Sequence, residues 1–181
     1  GILNALDKEP ERWQLVDNLS MIVGGSAAPE SMIRRFDGHG LQLIQAWGMT
    51  ETSPLGTTYS PYPGTENDDY EDLVAHKLMA GRRIFGVDMR IVDDEGNVLP
   101  QDGEAEGHLH VRGPWISSGY FKGAGSENFT DDGWFRTGDV GVLHPKGYME
   151  ITDRSKDVIK SGGEWVSSIE VENAASDHPD V

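Results

Sequence analysis

Apolar positions in the first half of the chain fall into two short runs separated by a helical repeat. Leu19, Met21, Ile22 and Val23 make the first run, which ends in Gly24-Gly25-Ser26. Pro29 then opens a stretch in which Met32, Ile33 and Phe36 recur on one helical face, with Gly38 and Gly40 as stops. A second run over 41–47 ends at Gly48. Strand, loop, helix, strand is the rhythm of an α/β unit with a parallel sheet. Ligands of such sheets gather at the carboxyl ends of the strands, where both glycine-bearing loops fall. Residues 53–72 are rich in Pro, Gly, Thr, Asn and Asp and read as an exposed loop. Beyond Gly81 the pattern changes: 88–93, 107–113 and 147–152 are β-rich, with turn signals Asp94-Glu95-Gly96-Asn97 and Pro145-Lys146-Gly147 between them. That spacing predicts antiparallel strands in a small barrel or sandwich. A short run over 158–160 and a helix near 168–176 follow.

Composition agrees with short elements and many turns, since the 181 residues include 23 glycines and 9 prolines. The absence of cysteine excludes a disulfide framework and thiolate metal sites. No apolar run approaches the roughly 18 residues of a membrane span. The opening Gly1-Ile2-Leu3-Asn4 lacks the basic flank of a signal peptide, so the sequence reads as a soluble cytoplasmic protein. A net charge of -16 argues against binding nucleic acid through its phosphates. Any anionic small ligand would need a divalent cation or local donors to overcome that field. Lysine is scarcer than arginine, and the acidity is consistent with solubility in a saline cytoplasm.

Four segments carry groups suited to chemistry. Gly24-Gly25-Ser26-Ala27-Ala28-Pro29 lets backbone approach a ligand before a helix N-terminus, although an ordinary strand-to-helix turn is the favoured reading of the segment alone. Gln45-Ala46-Trp47-Gly48-Met49-Thr50-Glu51-Thr52-Ser53-Pro54 offers an aromatic face for a purine, a hydroxyl for a phosphate oxygen and a carboxylate for magnesium. The structural alternative puts Trp47 in the core and makes Thr50 a helix cap. In Trp134-Phe135-Arg136-Thr137-Gly138-Asp139-Val140-Gly141, an Asp after Gly in a tight turn can accept from a ribose diol, or simply close an Asx-type turn. The fourth runs from Ile151 through Asp153-Arg154-Ser155-Lys156 to Gly162-Gly163-Glu164-Trp165. Its charge density reads as a domain boundary or a solvated linker.

In this order the four segments resemble successive core motifs of the adenylate-forming (AMP-binding) superfamily, which contains acyl-CoA ligases, peptide-synthetase adenylation domains and luciferases. Gly107-His108-Leu109-His110-Val111-Arg112-Gly113 with Gly119-Tyr120-Phe121 is a fifth match, and the resemblance extends from about Leu19 to the end. The resemblance implies ATP, Mg²⁺ and coenzyme A as cofactor and substrates. It implies nucleotide contacts at Gly25, Ser26, Ala27, Trp47, Gly48, Met49, Thr50, Asp139 and Arg154. Within that set Trp47 lies against adenine, Thr50 contacts the α-phosphate, and Asp139 and Arg154 take the ribose. Thr50 and Glu51 are the implied catalytic residues, with Glu51 the magnesium ligand. Asp153 is the implied hinge, and Gly162 and Gly163 line the path of the coenzyme A thiol.

The implied fold is α/β plus β. The end of a parallel-sheet α/β subdomain occupies 1–78, a small antiparallel β-barrel-like subdomain 79–152, and the hinge with the truncated start of a mobile C-terminal α+β domain 153–181. The family's upstream Ser/Thr/Gly-rich phosphate loop and its C-terminal catalytic lysine have no match here, and Lys160 lacks the right context. The expectation is a fragment inactive by itself. The sequence over 156–168 is similar to fatty and medium-chain acyl-CoA ligases and lacks the Arg-containing segment of peptide-synthetase domains. A ligase for an aliphatic carboxylic acid is therefore expected. Alternatives are an adenylating enzyme that loads a carrier protein, or a non-catalytic binding module. Acyl chain length and oligomeric state stay open at this level.

Overall fold

The computed structural model describes residues 1–154, 159–161, 164–166, 171 and 175. A short helix, α1 (Ile2–Lys8), precedes β1 (Ser20–Gly24), α2 (Glu30–Gly38) and β2 (Gln42–Trp47). β1 and β2 are parallel, in register from Ser20 opposite Gln42 to Gly24 opposite Ala46. This is the expected strand–helix–strand unit, and its ends fall within a residue or two of the apolar runs. Pro29 caps α2 with an extended backbone and Glu30 places a carboxylate in its first turn, where the helix dipole favours negative charge. Ile33 and Phe36 point inward as their spacing requires, and pack with Leu6, Ala28, Leu41 and Leu43.

The 53–72 stretch is more structured than its composition predicts. It contains β3 (Thr57–Thr58), a 3-10 turn at Thr65–Asn67 and the start of α3 (Tyr70–Leu78). The Asp-rich run that reads as loop supplies the helix cap: the Asp69 carboxylate accepts from the Asp72 N–H at 2.9 Å. β4 (Arg82–Arg83) pairs antiparallel with β3, and β3 pairs antiparallel with β2. The first sheet is therefore mixed, with strand order β1-β2-β3-β4.

The second sheet is an antiparallel meander of β5 (Asp88–Val92), β6 (Glu106–Arg112), β7 (Phe135–Leu143) and β8 (Met149–Arg154). It does not close, so the barrel-like expectation is corrected to an open sheet. Closure needs the two edge strands to pair, and here the start of β8 bonds to residues beside β4 of the first sheet instead. The Ala80 N–H donates to the Met149 carbonyl at 2.8 Å, and the Met149 N–H to the Gly81 carbonyl at 2.9 Å. One face of the meander buries Met89, Ile91, Leu109, Val111, Phe135, Leu143 and Met149, with Trp47 and Met49 packed against the same core. The two sheets thus meet along the end of β2.

The 134–141 segment is also corrected. Residues 135–141 lie within strand β7 rather than in a tight turn. A local irregularity lies inside it, where the pairing with β6 shifts register between His108 and His110. Gly138 sits there with φ of 81°, a conformation that favours glycine within an otherwise extended strand. A hairpin of β9 (Ile159–Ser161) and β10 (Glu164–Val166) follows. The expected helix near 168–176 falls largely outside the described residues. Among the described residues, no helix is long and apolar enough to cross a membrane.

Candidate active site

The site forms where β2 ends. Trp47 is the last residue of the strand, and the chain then folds back through a 3-10 turn over Thr50–Thr52. Gly48 is required by close approach, because a Cβ there would lie 1.8 Å from the Pro54 carbonyl oxygen. Thr52 is fully buried and staples the turn. Its hydroxyl accepts from the Met49 N–H at 2.9 Å and reaches the Pro54 carbonyl at 2.7 Å. Met49, not Thr50, occupies the cap position, so the reading of Thr50 as a cap is corrected. The hydroxyl of Thr50 is left on an exposed residue and Glu51 is half-buried beside it.

Trp47 is half-buried, and its indole N–H donates to Asp139 Oδ2 at 2.8 Å across 92 residues of sequence. Asp139 is 5% exposed on β7. The irregularity in that strand aims it. The Asp139 N–H donates to Thr137 Oγ1 at 3.1 Å, and the Thr137 hydroxyl donates to the Leu109 carbonyl at 2.9 Å. Local structure and packing therefore bring an indole and a buried carboxylate together, which neither strand could do alone.

Gly25, Ser26 and Ala27 lie exposed at the carboxyl end of β1, with Gly25 at φ of 90°. The loop is fastened by Gln45, a residue with no role assigned from the sequence. Gln45 is buried on β2; its Oε1 accepts from the Ala28 N–H at 3.0 Å. Its Nε2 donates to the carbonyls of Lys77 and Leu78 at 3.1 and 3.0 Å. The signal for it was an amide inside an apolar run, since a buried amide needs partners on both of its ends.

Glu51 is fixed by a second residue given no role earlier. The Tyr120 hydroxyl donates to Glu51 Oε1 at 2.6 Å, and that hydrogen bond is the main cause that pushes the Tyr120 pKa up to about 12. A carboxylate accepting the phenolic proton stabilises the protonated phenol. Asp153 is buried on β8 opposite Val140, and the backbone of Arg154 pairs with that of Asp139. The implied hinge residue therefore adjoins the implied ribose residue across one strand pair. Gly162 and Gly163 lie outside the described residues.

No group of three or more His, Asp or Glu residues could hold a metal ion among the described residues. A lone half-buried carboxylate suits Mg²⁺, which takes one or two carboxylates and completes its shell with water and phosphate oxygens. The donor set at Glu51 therefore fits that ion in company with a nucleotide. A separate depression of about 360 Å³ between the 93–96 turn and β6 is lined by Asp93, Asp94, His110, Arg136 and Gly138. It includes neither Thr50 nor Glu51. His110 beside it is buried, and burial, reinforced by Arg90 and Arg136, lowers its pKa to about 4.

Residues 2–121 match the family described as AMP-binding enzyme. The chain belongs to this family. Among its relatives, the 3-methylmercaptopropionyl-CoA ligase of Ruegeria lacuscaerulensis is 51% identical over 161 residues, covering 87% of this chain and 29% of the relative. The medium-chain-fatty-acid–CoA ligase of Ectopseudomonas oleovorans is 45% identical over 162 residues, covering 89% of this chain and 30% of the relative. The chain thus spans under a third of the length of these curated relatives. The o-succinylbenzoate CoA synthetase of Bacillus subtilis, solved with its acyl-adenylate intermediate, superposes with a TM-score of 0.78 at 29% identity. That superposition covers 99% of this chain and 35% of the synthetase. The AMP-binding assignment agrees with the mixed sheet and the open antiparallel sheet that meet at Trp47 and Asp139.

Proposed function

We propose that this chain is part of an ATP-dependent acyl-CoA ligase, which joins a carboxylic acid to coenzyme A through an acyl-adenylate and releases AMP and pyrophosphate. The observation that carries the reading is the Trp47–Asp139 hydrogen bond, which sets an aromatic face beside a buried carboxylate at the mouth of the Thr50–Glu51 turn. In this reading the Trp47 ring lies against adenine, while Asp139 accepts from the ribose diol and Arg154 makes a second ribose contact. Gly25, Ser26 and Ala27 border adenine and the acyl group; Gly48 and Met49 shape the turn.

A carboxylate is a poor acyl donor, so its oxygen attacks the α-phosphorus, the bond to pyrophosphate breaks, and a mixed anhydride forms. Negative charge then grows on the phosphoryl oxygens, and fixed donors stabilise it in place. Thr50, exposed on a turn held by Thr52, can donate to the α-phosphate. Glu51 is the proposed ligand of Mg²⁺, which when bound neutralises phosphate charge. The coenzyme A thiol then attacks the acyl carbon and AMP leaves. Two steps with different geometry at one site favour a moving part, and Asp153 is the proposed hinge, with Gly162 and Gly163 on the thiol's path. We take 1–78, 79–152 and 153–181 as the corresponding subdomain divisions, and the cytoplasm as the place of action.

An aliphatic acid is the proposed substrate, supported by the names of the two ligases given above. The test is mass-spectrometric detection of AMP and CoA thioester from the full-length protein, given ATP, Mg²⁺, coenzyme A and aliphatic acids of graded length. Acid-dependent thioester supports the ligase reading. Adenylate without thioester moves the assignment to carrier-protein loading, and neither product with any acid removes the aliphatic reading.

A further inference from the structure

We propose that Tyr120 is a positioning residue for Glu51, holding one carboxylate oxygen so that the other is presented to the magnesium–nucleotide complex. The inference rests on the ligase reading above and adds a residue to its machinery. Its hydroxyl lies 2.6 Å from Glu51 Oε1, and among the described residues Glu51 Oε2 has no hydrogen-bond partner. A glutamate on a turn rotates about three side-chain bonds, and a donor fixed on one oxygen removes most of that freedom. Such outer partners orient ligands and are costly to remove.

The phenol is itself held in place. The 115–120 segment is tied to the catalytic turn at two further points: the Ser117 N–H donates to the Glu51 carbonyl at 2.7 Å, and the Trp115 indole N–H to the Leu55 carbonyl at 3.3 Å. On its other side the Tyr120 ring meets Phe129 edge-on, with centroids 5.6 Å apart, and Phe129 lies 5.1 Å from Phe135 in the core of the antiparallel sheet. Gly125 leaves room for this ring, since a Cβ there would come within 3.0 Å of Tyr120 Cδ2. An aromatic line therefore runs from the sheet core through Tyr120 to the carboxylate of Glu51. The sheet dictates where that carboxylate points, although Glu51 belongs to the other half of the molecule.

The experiment compares the full-length protein with its Tyr120→Phe, Glu51→Gln and doubly substituted forms. Mn²⁺ stands in for Mg²⁺ and is titrated by electron paramagnetic resonance with a non-hydrolysable ATP analogue present. Tyr120→Phe is expected to weaken nucleotide-dependent Mn²⁺ binding roughly 10-fold, the scale for loss of a ligand's hydrogen-bond partner. It should have no further effect once Glu51 is Gln. Thermal midpoints establish that each variant is folded. Unchanged Mn²⁺ affinity in folded Tyr120→Phe, or an equal loss in the Glu51→Gln background, overturns the positioning role while leaving the ligase reading intact. Absence of nucleotide-dependent Mn²⁺ binding in the unsubstituted protein overturns the ligase reading and this proposal together.

Discussion

Replacing Trp47 by Phe keeps an aromatic face at the end of β2 and removes the indole N–H that donates to Asp139 from the other sheet. Asp139 is 5% exposed, so water cannot readily replace the lost N–H, which lies 2.8 Å from Oδ2. A hydrogen bond to a charged group contributes roughly 1.5–3 kcal/mol, and a buried acceptor left short of a donor loses the upper part of that range. The smaller ring also gives up aromatic surface. Taking about 40 Å² at ~25 cal/mol per Å², and halving it because Trp47 is half-buried, adds about 0.5 kcal/mol. The sum is about 2–3.5 kcal/mol of destabilisation. For a chain of this size each kcal/mol moves Tm by roughly 2–4 °C, so the expected fall is about 4–14 °C by calorimetry. Asp139→Asn and the double variant complete a cycle, with an expected coupling of about 1–2 kcal/mol. A Trp47→Phe fall below about 1 °C, or additive single effects, would refute the claim that this bond fastens the two sheets at the site.

Three further experiments test other parts of the fold. Lys77 and Asp37 are 12% and 13% exposed and pair at 2.7 Å between α3 and α2, so Lys77→Met should cost about 3 kcal/mol in urea unfolding, while adding Asp37→Leu should recover most of it. Gly48→Ala sets a methyl 1.8 Å from a backbone oxygen, and should lower stability by about 3 kcal/mol or more and displace the Thr50–Glu51 turn, read by ATP binding. His110 has a folded pKa of about 4, below its unfolded value, so the unfolded state binds more protons between about pH 6.5 and pH 4. Its contribution is therefore complete above about pH 6.5 and is lost as pH falls through that window, by at most about 1.4 kcal/mol per pH unit. His110→Gln should flatten the pH dependence of unfolding there, and an unchanged slope would show that His110 titrates normally.

Residue order by itself was enough for several features that depend on near neighbours. The β1–α2–β2 unit was legible because apolar runs, Pro29 and the helical spacing of Ile33 and Phe36 act over a few residues. The Trp47–Glu51 segment stands out as a candidate in the same way, because its aromatic, hydroxyl and carboxylate groups are adjacent in the chain. Local pattern misled where one composition serves two structures: Asp69 caps α3 inside a stretch that reads as loop, and Gly138-Asp139 lies in a kinked strand that reads as a turn. Tertiary structure alone joined Trp47 to Asp139 across 92 residues and Tyr120 to Glu51 across 69. It also left the meander open, by bonding the start of β8 to residues beside β4 of the first sheet. The physical reason is common to all three. Periodicity and turn chemistry record which face of an element is buried, but not which distant element covers it. That pairing emerges only when the two sheets share one core.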